Sequence, residues 1–115
     1  MKKVAMFVFN GSPICFVHVL LNALDMHARG DAVQIVMEGE STQLVAELAQ
    51  PDNWLHSLWQ QACEKELVAG ACKACAQKLG ARQPIVDTGL ALLDDMQGHP
   101  GMATFREQGY DIITF

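Results

Sequence analysis

A chain of 115 residues, half of them hydrophobic and 18% charged, is one domain with enough apolar side chains for a core of its own. Its formal net charge is −5, and its Lys and Arg residues (Lys2, Lys3, Arg29, Lys65, Lys73, Lys78, Arg82, Arg106) form no basic stripe that could follow phosphates, which argues against nucleic-acid binding. No apolar run approaches the ~20 residues that a bilayer-spanning helix needs, so the chain reads as a soluble, cytoplasmic protein with no membrane partner.

Lys3 to Phe9 is a continuous apolar run ended by Asn10-Gly11. It suits a strand covered on both faces, as in a parallel sheet. Lys2-Lys3 before it resemble the start of a signal peptide, but Asn10-Gly11-Ser12-Pro13 interrupts the run and no small-residue cleavage site follows. Ser12 is a suitable N-cap and Pro13 a suitable first residue for a helix that runs to about Ala28 and closes at Arg29-Gly30. That helix is apolar over more than one face. Ile14, Val17, Leu20, Leu21 and Leu24 lie on one side; Cys15, Phe16, Val19 and Ala23 spread further round. The width suggests contact with a second subunit as well as with the sheet.

Asp31 to Met37 reads as a second strand and Glu38 to Thr42 as a loop with Ser41 as N-cap. Gln43 to Leu48 reads as a short helix, and Pro51-Asp52-Asn53 breaks it. Trp54 to Glu66 follows as a helix that buries Leu55, Leu58, Trp59, Ala62 and Cys63. Leu67 to Ala71 is a third strand, Cys72 to Leu79 a helix closed by Gly80, and Pro84 to Val86 a short fourth strand. Leu90 to Met96 is mixed and Gly98-His99-Pro100-Gly101 is a break. Pro100 to Gln108 reads as the last helix and Tyr110 to Phe115 as the last strand. Strands alternating with helices predict an α/β fold, a three-layer sandwich around a four- or five-stranded, mostly parallel sheet. Sites in such sheets form at the carboxyl ends of the strands. Asn10 to Pro13, Gly39 to Thr42 and the turn before Cys72 meet there.

Four cysteines, Cys15, Cys63, Cys72 and Cys75, do not have the spacing of a secreted disulfide scaffold. Cys72 and Cys75 form a C-x-x-C unit where a strand hands over to a helix. Backbone N–H groups at a helix start favour thiolate over thiol, and thiolates attack sulfur, carbonyls and metals. Cys72 is therefore the expected nucleophile, with Cys75 one turn on to resolve an adduct. Lys73 and Lys78 add local positive charge. A zinc site needs two further ligands, for which only His99 and Cys63 are suitable. A thioredoxin-like oxidoreductase lacks its usual surroundings here. Ser12 with His18 or His27 has no G-x-S-x-G context, so Ser12 reads as a cap and both histidines as helix-surface residues. Neither phosphate-loop fingerprint occurs, which disfavours a nucleotide cofactor. Cys15 and Cys63 read as core residues, and Trp54 and Trp59 as core or interface residues.

Three segments together resemble a known family: Val4 to Pro13, Cys72 to Gly80, and Gly98-His99-Pro100 with Gly109 to Phe115. In their order and spacing the whole chain is similar to the small DsrE/DsrF-like (YchN-like) sulfur-relay-type proteins. The resemblance implies a single domain over residues 1–115 that assembles into homo- or hetero-oligomers. It also implies a persulfide carried on one cysteine, which here matches Cys72. Cys75 stands where sulfur-relay members usually have a small residue, and Lys78-Leu79 keeps half of the basic pair that often precedes the closing Gly. The expectation is a homo-oligomer in which Cys72 accepts and donates sulfane sulfur between donor and acceptor proteins, without a metal or organic cofactor. Cys72 and Cys75 would be catalytic, and Asn10, Gly11, Ser12, Gly39 and His99 would bind substrate. Two alternatives stand beside it: a non-catalytic assembly or regulatory module, and a dithiol redox or metal site using both thiols.

Overall fold

The computed structural model describes residues 1–115. Strand β1 (Lys3–Val8) leads into helix α1 (Pro13–Ala28) and strand β2 (Ala32–Met37). A 3-10 helix (Gly39–Gln43), α2 (Leu44–Leu48) and α3 (His56–Glu64) lead to β3 (Val68–Cys72). Then come α4 (Lys73–Lys78), α5 (Arg82–Asp87), β4 (Leu92–Leu93), α6 (Met102–Glu107) and β5 (Asp111–Thr114). The five strands lie in the order β4-β3-β2-β1-β5, and every pairing is parallel, so this is the expected α/β sandwich with five strands.

Strand order explains the layers. From β1 to β4 each crossover steps one strand in the same direction, and right-handed crossovers then put α1 to α5 on one face. The β4-to-β5 connection steps back across the sheet and leaves α6 on the other face. The two cores follow this division. Met6, Val8, Ile35 and Met37 pack under Phe16, Leu20, Trp59 and Ile85, whereas Phe7 and Val36 meet Phe105 and Tyr110. Phe7 and Phe105 stand edge to face, with ring centroids 5.4 Å apart. Val4 to Val8 are all buried, as a strand between two layers requires.

Helix α1 turns a different stripe to the sheet from the one that its composition suggests. Phe16, Val19, Leu20 and Ala23 are buried, at the i, i+3, i+4, i+7 spacing of one helical face. Ile14 and Leu21 are exposed, and so is Cys15, which is not a core residue. Trp59 packs against Phe16, while Trp54 is exposed.

Local chemistry moves several boundaries. Pro84 to Val86 is not a strand but the middle of α5, because Pro is compatible with a first helical turn. The fourth strand is instead Leu92–Leu93. Cys72 ends β3 rather than opening the helix. Ser12 occupies the N-cap position of α1 without capping it; its own N–H donates to Asn10 Oδ1 at 2.7 Å. Ser41 is no cap either: its hydroxyl donates to the carbonyls of Val8 and Glu38 at 2.7 and 2.8 Å.

Two irregularities shape the region around Cys72. Opposite β2, the register of β3 jumps from Val68 to Gly70, so Ala69 is an extra, bulged residue. Gly70 has φ +153°, and a Cβ there would stand 2.5 Å from the Ala91 carbonyl oxygen. Only glycine lets β4 come close enough for Ala71 N–H to donate to that carbonyl at 2.9 Å.

Candidate functional site

Three adjacent strands deliver side chains to one point at the carboxyl edge of the sheet. Glu38 follows β2 directly, and its N–H donates to the Val8 carbonyl at 2.8 Å, which continues the β1–β2 ladder by one residue. Cys72 is the last residue of β3 and the extended N-cap of α4. Its Sγ accepts the Cys75 backbone N–H at 3.3 Å, and Cys75 lies one turn along the helix. His99 arrives from beyond β4 on a tight turn.

That turn is Met96 to His99. Met96 and His99 exchange backbone hydrogen bonds at 2.7 and 3.0 Å. Gln97 and Gly98 between them both have positive φ, at 51° and 90°, as in type I′ turns. The Gly98 carbonyl accepts the Ala74 N–H at 2.9 Å and so fastens the turn to the start of α4. A Cβ on Gly98 would sit 3.3 Å from Ala74 Cβ, which is tight for this docking. Further on, the Asp95 carboxylate accepts the Gly101 N–H at 3.2 Å and the Thr104 hydroxyl at 2.6 Å, joining the turn to α6.

The result is a compact group. His99 Nδ1 lies 3.1 Å from Cys72 Sγ and 3.8 Å from Cys75 Sγ. One donor atom from each of Glu38, Cys72, Cys75 and His99 lies within 4.8 Å of all the others. Glu38 and Cys72 are buried; Cys75 and His99 are half-buried. Glu38 and His99 also line a cleft of about 320 Å³, whose other walls include Phe9, Pro100 and Met102. Neither cysteine lines that cleft.

Electrostatics reverse the expectation of a Cys72 thiolate. Burial pushes the Cys72 thiol up to about 12, helped by the neighbouring Cys75 and Glu38; the Cys75 backbone N–H acts the other way and loses. Helix α4 has only six residues, so its N-terminus cannot offset burial among acidic groups. Cys72 is therefore a thiol in the isolated chain. Its sulfur lies 3.1 Å from His99 Nδ1 and 3.8 Å from the Gly98 carbonyl oxygen, to which the thiol can donate. Burial alone raises the Glu38 carboxyl to about 7. Lys73 does not serve the thiols: its ammonium pairs with Asp94 at 3.6 Å.

The expected site residues divide. Cys72, Cys75 and His99 come together. Asn10, Gly11, Ser12 and Gly39 lie on the same edge of the sheet but supply none of the four converging atoms and do not line the cleft. Asn10 holds its own turn through the Ser12 N–H, and Gly11 packs against Glu40. Cys63, the other ligand considered for zinc, sits half-buried in α3, outside the group, where burial and Glu64 push its thiol up to about 11. Glu38 escaped the sequence reading. Its signal was an acidic residue directly after the apolar run Ile35-Val36-Met37, at the end of a strand where sites form.

No known protein-family model matches the chain. An uncharacterized protein of Methanocaldococcus jannaschii is 29% identical to it, over 96% of this chain and 93% of its own length. An uncharacterized protein of Archaeoglobus fulgidus is 31% identical over 49 residues, which cover 43% of this chain and 80% of that protein. Their names assign no activity, but the extent of the similarity shows kinship: the chain belongs to one family with these archaeal proteins.

Proposed function

We propose that this domain is a sulfur carrier whose C-x-x-C pair accepts sulfane sulfur from a donor protein and passes it to an acceptor protein. The reading rests on one observation: two thiols at the β3–α4 junction share a single imidazole, 3.1 and 3.8 Å from their sulfurs. Exposure supports a division of roles that differs from the expected one. Cys75 is the half-buried thiol that a donor can reach, and Cys72 is the sealed one. In the transfer, Cys75 gives its proton to His99 and its sulfur attacks the terminal sulfur of the donor persulfide. The donor leaves as a thiolate and takes up a proton, and Cys75 becomes a persulfide, with no net oxidation. Attack by an acceptor thiol on the terminal sulfur restores Cys75. Where no acceptor comes, Cys72 attacks the inner sulfur of the persulfide, which releases hydrogen sulfide and closes a Cys72–Cys75 disulfide.

Mass spectrometry of metal-free protein after incubation with a persulfide donor tests this. The expected product gains one sulfur atom in Cys72→Ser and none in Cys75→Ser; wild type gains one sulfur atom or, once Cys72 has resolved the persulfide, becomes the Cys72–Cys75 disulfide with release of hydrogen sulfide. No gain in Cys72→Ser overturns the carrier reading. Exposed Ile14 and Leu21 on α1 support the expected self-association. Light scattering tests that part: a monomer mass at micromolar concentration would remove it.

A further inference from the structure

The sulfur reading leaves the Glu38 carboxyl unexplained. Glu38 is 6% exposed, and what remains accessible of it lines the cleft beside His99. No buried side-chain oxygen lacks a partner, so the Glu38 oxygens open on the cleft, where they are free to take a ligand. Its neighbours are two sulfurs and an imidazole nitrogen, all metal-ligating atoms. We propose that Glu38, Cys72, Cys75 and His99 form a four-coordinate site for a borderline-soft divalent cation of the zinc class. The proposal does not depend on sulfur transfer.

Geometry carries it. Tetrahedral coordination with bonds of about 2.0–2.3 Å puts neighbouring ligand atoms about 3.3–3.8 Å apart. The two sulfur-to-Nδ1 separations are 3.1 and 3.8 Å, and all four atoms lie within 4.8 Å of one another. Side-chain rotations that shift the ligand atoms by at most about 1.5 Å, on the order of ordinary rotamer relaxation, would close the remaining gap. The backbone needs no movement, because each ligand is already fixed. Glu38 is held by the ladder to Val8, Cys72 by its N-cap position, and His99 by the turn that Ala74 anchors. Such prior ordering is what a metal site needs from its scaffold.

Donor chemistry selects the cation. Two thiolates and an imidazole favour zinc-like ions over calcium or magnesium, which prefer all-oxygen shells. Binding releases the protons of both thiols to solvent, so two thiolates, one carboxylate and one neutral imidazole face the dication. No redox change occurs. Four protein ligands leave no open coordination position, which suits holding an ion rather than hydrolysing a substrate. The cleft beside Glu38 and His99 gives the ion its way in. The same sulfur lone pairs cannot hold the cation and attack a persulfide at once, so occupancy would silence the thiols.

The test uses the full chain, reduced and stripped with a chelator, then titrated with Zn(II) and with Co(II). One equivalent should bind, and Co(II) should give tetrahedral d–d bands with a thiolate charge-transfer band. Cys72→Ser, Cys75→Ser and His99→Ala should each weaken binding by more than about 100-fold, since even changes behind the ligands cost 10–100-fold. Glu38→Gln should also weaken binding and alter the Co(II) bands, while Cys15→Ser and Cys63→Ser bind as wild type. Circular dichroism confirms that each variant is folded, and Glu38→Gln preserves shape where His99→Ala does not. A wild-type protein without the charge-transfer band overturns the site. Unchanged affinity and spectrum in Glu38→Gln overturn the four-ligand assignment. Metal binding by wild type with no sulfur gain in Cys72→Ser would sink the carrier reading alone, and sulfur gain in Cys72→Ser without metal binding by wild type would sink this one alone.

Discussion

His99 Nδ1 stands 3.1 Å from Cys72 Sγ, although 27 positions separate the two residues in sequence. The contact depends on a four-residue turn whose middle carbonyl is gripped by the first turn of α4. Gly98→Ala attacks that grip twice, through its φ of +90° and through the 3.3 Å approach to Ala74 Cβ. The expected cost is about 1–2 kcal/mol in urea unfolding. Cys72 should also become more reactive to alkylation as His99 withdraws. Unchanged reactivity would show that the turn does not position His99.

Gly70 supports the same site from beneath. Gly70→Ala puts a methyl group 2.5 Å from the Ala91 oxygen, on backbone that cannot swing aside as a side chain would. Loss of the β3–β4 pairing should lower stability by more than about 2 kcal/mol. A urea midpoint within error of wild type would contradict the close approach.

Thiol reactivity should rank by exposure. Exposed Cys15 should alkylate first and half-buried Cys75 next. Cys63 and Cys72, pushed up to about 11 and about 12, should stay largely unmodified at pH 8 until the protein unfolds. Peptide mapping after timed iodoacetamide treatment reads this order. Fast labelling of native Cys72 would contradict its burial.

Asp95 gives a pH signature. Hydrogen bonds from Thr104 and Gly101 hold its carboxyl below the usual aspartate range. A group with a lowered folded pKa stabilises the fold above its unfolded pKa, about 3.9, and loses that contribution as pH falls through the folded value. Asp95→Asn should thus lower the thermal midpoint at pH 7, and the gap to wild type should narrow below about pH 3.9. A gap of constant size would assign the effect to something other than ionisation.

Much of the fold was legible because it rests on local chemistry. The run Val4 to Val8 could only be a strand covered on both faces, and Gly98-His99-Pro100-Gly101 could only interrupt a helix or strand. Pro84 was misleading: it fits a helix's first turn as readily as a short extended patch, and three residues carry too little periodicity to decide. In α1, apolar residues on both sides hid which stripe meets the sheet. At the site, the C-x-x-C pair and His99 were visible as residue types. The protonation of Cys72 was not, because it depends on burial and on Glu38, which sequence distance conceals.

The order β4-β3-β2-β1 has a consequence for biosynthesis. Glu38, the cysteine pair and His99 leave the ribosome in the same sequence as the strand ends that carry them. A nascent chain released only as far as α5 would hold the first three and lack the fourth. Maturation of the centre must therefore wait until translation has passed the fourth strand, however early the first βαβ unit has folded.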